Sequence, residues 1–152
     1  MARRLGVKQT TGYDCGPAAA VNVLATRRVV RSLAEMRRLC GTTQAGTSVK
    51  GLVRGLGLAA GSSGLAAPEL FHSPLDAGHL LLSRRLETAA VVLPFMAERP
   101  WDHWVVVLSA RADVVCVQDS AVDELRWLTW AEVISLWTGP GGRRAQVFGV
   151  AL

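Results

Sequence analysis

Apolar positions recur every three to four residues through the first half of the chain, then give way to short valine-rich runs in the second half. This change of period predicts helices first and strands afterwards. From Cys15 to about Arg28, Ala18, Val21, Leu24 and Ala25 share one helical face. Asp14 stands ready to cap that helix, and Pro17 sits in its first turn, where a missing amide hydrogen is tolerated. Leu33, Met36 and Leu39 predict a second helix over Ser32–Cys40. A third begins at the Thr47 and Ser48 cap, carries Val49, Leu52, Val53 and Leu56 on its inner face, and is expected to close at Gly57. The stretch from Gly57 to Pro68 reads as the most flexible portion. A fourth helix between Pro74 and Leu86 would bury Ala77, Leu80, Leu81 and Leu82.

Strands are expected at Ala89–Phe95, Trp104–Ser109, Val114–Val117 and Ala145–Leu152. One helix interrupts them over Thr129–Trp137, where Thr129 followed three residues later by Glu132 forms a capping box. Helices followed by strands predict an α+β architecture, an N-terminal helical lobe packed on a C-terminal antiparallel sheet with a cleft between them. With no repeat or linker-like run, residues 1–152 read as one domain.

Composition narrows the classes of function. Half the residues are hydrophobic and 19% charged, which predicts a packed core rather than disorder. The net charge of +5 arises from scattered arginine pairs with no interleaved aromatics, so nucleic acid is not an expected partner. Three irregularly spaced cysteines without a CxxC pair suit neither a disulfide framework nor a zinc site. No apolar run approaches the ~20 residues of a membrane helix, and no secretory signal follows Met1. A cytoplasmic protein without membrane insertion is expected.

Cys15 is the residue with the clearest chemistry. At the start of a helix, unpaired amide hydrogens and the positive end of the helix dipole favour a thiolate. Gly16 is expected to leave the approach to the sulfur open. The Cys15 amide and the side chain of Gln9, six residues upstream, are candidate oxyanion donors. Cys40 ends a helix and Cys116 lies mid-strand, so both read as packing residues. A cysteine nucleophile needs a base, and His103 opens the strand HWVVVLSA ahead of a second strand, DVVCVQD, that reaches Asp119. If the turn centres on Arg111, residues whose numbers total 222 face one another, and His103 opposes Asp119. Asp102, the other nearby carboxylate, should point away as the immediate neighbour in the strand. His72 and His79 have no ligand-like partners and read as surface residues.

Taken in order, Gln9, the DCGPAA run at Cys15, the HWVVVL strand and Asp119 resemble the C39 peptidases, papain-like domains that remove leader peptides from bacteriocin precursors. The resemblance spans nearly the whole chain and includes the TSVKGLVRGLGL helix and the LPF strand. It implies Cys15 as nucleophile, His103 as general base and then acid, Asp119 as its orienting partner and Gln9 as oxyanion donor. Tyr13, Gly16 and Trp104 would contact a substrate cut after Gly-Gly or Gly-Ala. No cofactor or metal is implied; the implied partner is a precursor peptide with an amphipathic helical leader, with or without a separate exporter. Two departures stand out: the chain has no membrane helices or nucleotide-binding motif, and Ser120 follows Asp119 where the family often has proline. Acyl transfer from a Cys15 thioester to another acceptor, or leader binding without catalysis, fits the same residues.

Overall fold

A computed structural model describes residues 6–96, 102–122, 124–139 and 146–152. Helix α1 (Cys15–Thr26) is surrounded on all sides: every residue from Cys15 to Leu24 is buried. Such a helix shows little amphipathicity, because it packs against two further helices and the sheet. Only Ala25, expected inside, lies at the surface. Helix α2 (Leu33–Cys40) starts where Ser32 accepts a hydrogen bond from the Glu35 amide and ends in the left-handed Gly41. Helix α3 (Val49–Ser62) starts at the Ser48 cap and buries Leu52 and Leu56.

Helix α3 does not close at Gly57. It runs five residues further because Ala59 and Ala60 are drawn into the core, and the turn is made by Gly64, whose φ of +72° suits glycine. Much of the supposedly flexible stretch is therefore helix.

The six strands are β1 (Glu69–Pro74), β2 (Val91–Met96), β3 (Asp102–Ala110), β4 (Val114–Gln118), β5 (Leu125–Thr129) and β6 (Gln146–Ala151). They form one antiparallel sheet in the order β1-β6-β2-β3-β4-β5. Ala145 lies outside the described residues. Pro74 ends β1 rather than opening a helix; a short 3-10 turn follows, then α4 (Gly78–Leu86). On α4 only Leu82 of the expected stripe is fully buried, whereas Leu80 is 60% exposed. Helix α5 (Trp130–Thr138) opens with the expected capping box between Thr129 and Glu132.

Both faces of the sheet are covered. Val92, Trp104, Val106 and Val150 pack with α1, α2 and α3 on one side. Val91, Leu93, Val105, Val107 and Val117 pack with Leu82 of α4 and with Val133 and Trp137 of α5 on the other. The fold is α+β as expected, with the sheet between two helical layers. None of the described helices is long and apolar enough to cross a membrane.

Close approach of α2 to α3 depends on glycine. A Cβ at Gly55 would lie 2.5 Å from Cys40 Sγ and 2.9 Å from the Cys40 amide nitrogen, whereas one at Gly61 meets nothing within 4 Å. Gly55→Ala is expected to destabilise the protein by about 1–3 kcal/mol through overpacking. Gly61→Ala serves as the helical control that is not destabilised. Denaturant melts of the two variants measure the difference, and equal midpoints would contradict the packing described.

Candidate active site

Cys15 is the first residue of α1, and the helix terminus around it is bare. Asp14 holds the N-cap position but makes no side-chain capping bond. Its fully buried carboxylate turns instead to α2, where Arg37 Nε donates to Oδ1 at 2.8 Å and Arg37 Nη2 donates to Oδ2. Thr10 Oγ1 donates to Oδ2 at 2.9 Å and accepts from Arg37 at 2.7 Å. The hydrogen bond from Arg37 is the main reason the Asp14 carboxyl is held at about 2, against the opposing effect of burial. The expected cap thus serves to tie the loop before Cys15 to α2. Its charge is matched by Arg37, and the α1 N-terminus lacks a side-chain cap.

His103 and Asp119 meet, but not through the expected register. The β3–β4 turn is centred beyond Arg111, closing with a hydrogen bond from Arg111 N to Val114 O at 2.8 Å. Next to the turn, Ala110 faces Val115 and Ser109 faces Cys116, pairs whose numbers total 225. Past a bulge between Val107 and Ser109, Val107 faces Val117 and Val106 faces Gln118, pairs totalling 224. Extended one step, the ladder sets Asp119 beside Val105, on the same strand face as His103 and one diagonal step from it. Without the bulge, Asp119 would fall beside Val106 and on the other face from His103. The two side chains join through His103 Nε2 and Asp119 Oδ1 at 2.6 Å.

Asp119 is held from three further directions. The Ala121 amide donates to Oδ1 at 2.9 Å, Arg126 of β5 donates to Oδ2 at 3.4 Å, and the Val122 amide donates to the Asp119 carbonyl at 3.1 Å. Burial alone would raise this carboxyl, but His103, the Ala121 amide and Arg126 together lower it. His103 is also partly buried, which by itself would lower its pKa. The hydrogen bond to Asp119, with the pull of the nearby Cys15 sulfur and of the Asp119 charge, outweighs burial and lifts it to about 9. Since Asp119 takes Nε2, the nitrogen left for Cys15 is Nδ1.

These groups open onto one cavity of about 710 Å³, whose walls include Gln9, Tyr13, Cys15, His103, Trp104 and Asp119. Gly16 is not on the wall. It lies under Thr47, whose Oγ1 would be 2.4 Å from a Cβ at that position. Glycine there admits the loop before α3, and Trp104 Nε1 fastens the same loop by donating to the Thr47 carbonyl at 3.1 Å. Gln44 to Val49 consequently form a wall that sequence reasoning missed, as it did Arg37, Ala121 and Arg126. The Asp102 side chain lies outside what the structure describes.

The remaining candidates are placed elsewhere. Burial pushes the Cys40 thiol up to about 12 and raises Cys116 as well, so both are poor nucleophiles. All three cysteines are free thiols. His79 stacks on Trp130 with ring centroids 4.1 Å apart, and His72 lies beside Phe148 at 6.0 Å. Among the described residues no group of three or more His, Cys, Asp or Glu could hold a metal ion.

Because His103 is raised from its ordinary 6.5 to about 9, its contribution to stability is full below pH 6.5 and is lost as pH rises through about 9. Asp119→Asn should move the imidazole titration, followed by NMR, from near 9 toward 6.5. An unmoved titration would show that the carboxylate does not set it.

The chain resembles known proteins along almost its full length. The model of the Peptidase C39 family matches residues 4–140. An uncharacterized protein of Methanothermobacter marburgensis is 34% identical over 122 residues, covering 79% of this chain and 74% of its own. One from Methanothermobacter thermautotrophicus is 43% identical over 121 residues, covering 78% and 73%. Among solved structures, the peptidase domain of Streptococcus ComA, a bifunctional ABC transporter involved in quorum sensing, superposes with a TM-score of 0.73 at 20% identity, covering 98% of both chains. A double glycine motif protease from an AMS/PCAT transporter, in complex with its leader peptide, gives 0.68 at 14% identity, covering 99% of this chain and 96% of that one. The helices, the six-stranded sheet and the extent of the match establish that this chain belongs to the C39 peptidase family.

Proposed function

We propose that the protein is a cysteine peptidase that removes leader peptides from ribosomally made precursors, cutting after a Gly-Gly or Gly-Ala pair. The observation that carries this reading is the position of the His103 ring, hydrogen-bonded on one side to Asp119 and in reach of Cys15 on the other, at the wall of a cavity that begins at the α1 N-terminus. The leader-peptide class is supported by family membership and by the double-glycine protease that shares the fold.

In this mechanism Cys15 Sγ attacks the carbonyl carbon of the scissile bond while His103 carries the proton. Negative charge builds on the carbonyl oxygen, next to the Cys15 amide and the Gln9 carboxamide. Collapse of the tetrahedral intermediate breaks the C–N bond, and the proton on His103 passes to the departing amine. Water then gives a proton to His103 and attacks the thioester, releasing the leader's carboxylate and restoring the Cys15–His103 pair. Asp119 stays ionised throughout, fixing the tautomer and orientation of the ring. Tyr13 and Trp104 contact the residues before the scissile bond, and Gly16 acts indirectly by letting Thr47 close down on α1. Residues 1–152 act as one peptidase domain, working on a precursor with an amphipathic helical leader in the cytoplasm, alone or beside a separate exporter.

Incubating the chain with a precursor whose leader ends in Gly-Gly, followed by mass spectrometry, should yield leader and core as separate masses. Cys15→Ala should reduce cleavage to background while leader binding persists. Intact precursor alongside a reactive Cys15, or undiminished turnover in Cys15→Ala, would contradict the reading. Gln9→Ala should lower kcat by about 10²–10³, the loss typical of one oxyanion donor.

A further inference from the structure

Gln9 has a side chain that must point one way to serve as a donor, and carboxamides flip easily when only one end is held. Here both ends are held. The atom facing the Thr11 carbonyl at 2.9 Å has to be the NH2, because a carbonyl oxygen only accepts. The opposite end, Oε1, accepts from the hydroxyl of Ser120 at 2.9 Å. The same two residues are also joined through the backbone, Gln9 N donating to Ser120 O at 2.9 Å. Upstream, the loop is anchored on α1, where Val7 N donates to Asn22 Oδ1 at 2.7 Å and Asn22 Nδ2 donates to Val7 O at 3.2 Å. Main-chain placement of Gln9 is thus secured without the Ser120 side chain, whose hydroxyl is left to hold the carboxamide.

We propose that Ser120 is a positioning residue that sets the orientation of the Gln9 carboxamide and so presents its free N–H to the developing oxyanion. The inference rests on the assignment of Gln9 as an oxyanion donor. Ser120 is 3% exposed, so water does not readily replace the hydroxyl. It directly follows Asp119. One two-residue step at the end of β4 therefore governs both sides of the reaction: Asp119 orients the base and Ser120 orients the oxyanion donor. A proline at this position would lack the hydroxyl, which makes the device a property of this chain rather than of the pattern it resembles.

The test is a double-mutant cycle on the full chain, using a fluorogenic peptide that carries Gly-Gly before an aminocoumarin, with thermal melts to verify folding. Ser120→Ala should lower kcat about tenfold with little change in KM, since the contact acts on transition-state stabilisation. Ser120→Thr, which keeps the hydroxyl, should recover most of that loss. In a Gln9→Ala background, Ser120→Ala should cost nothing further. A neutral Ser120→Ala beside a damaging Gln9→Ala would overturn the inference alone, as would an equal loss from Ser120→Ala in both backgrounds. A neutral Gln9→Ala would overturn the oxyanion assignment, and the inference with it.

Discussion

The hydrogen bond between His103 and Asp119 is the contact on which the site depends, and a single irregularity in the sheet makes it geometrically possible. Side chains alternate along a strand, so which residues share a face is decided by parity. The β3–β4 hairpin leaves its turn in a register that sets His103 and Asp119 on opposite faces. The bulge between Val107 and Ser109 shifts that register by one and returns them to the same face. Everything downstream follows: the carboxylate takes Nε2, the other ring nitrogen is left for Cys15, and the ring keeps its proton to about pH 9.

The helical layer supplies the complementary half. A carboxylate next to a cysteine at a helix N-terminus would oppose negative charge on sulfur, yet Asp14 precedes Cys15 directly. Arg37 resolves the conflict by pairing with that carboxylate from α2, so the acid neither caps the helix nor stands uncompensated beside the thiol. The pairing also locks Thr10, and so the loop that carries Gln9. Thr47 over Gly16 and Trp104 beneath Thr47 then fix the far wall of the cavity.

What the sequence disclosed depended on burial. Central strands β2, β3 and β4 are runs of buried residues rich in valine, and the pattern announces them. Edge strands β1 and β5 escaped notice because few of their residues turn inward, Phe71 and Ser73 in one and Leu128 in the other. That Cys15, His103 and Asp119 come together at one cavity was legible from helix start, strand start and strand end. The bulge was not, since it is created by pairing rather than by any residue type near Leu108. The expected register was off by two, an even number, so it preserved the shared face while misplacing the direct partner. The contacts of Arg37 and Ser120 carry no local signal either: Arg37 meets Asp14, and Ser120 meets Gln9, only when α2 and the end of β4 are folded against the loop before α1.

The geometry of the cavity pairs His103 with Cys15 and with no other thiol. Labelling with a chloromethyl ketone peptide ending in Gly-Gly, with sites assigned by peptide mass mapping, tests it directly. One adduct is expected, on Cys15, forming much more slowly in His103→Ala. Comparable labelling of Cys40 or Cys116, or an unchanged rate in His103→Ala, would contradict it.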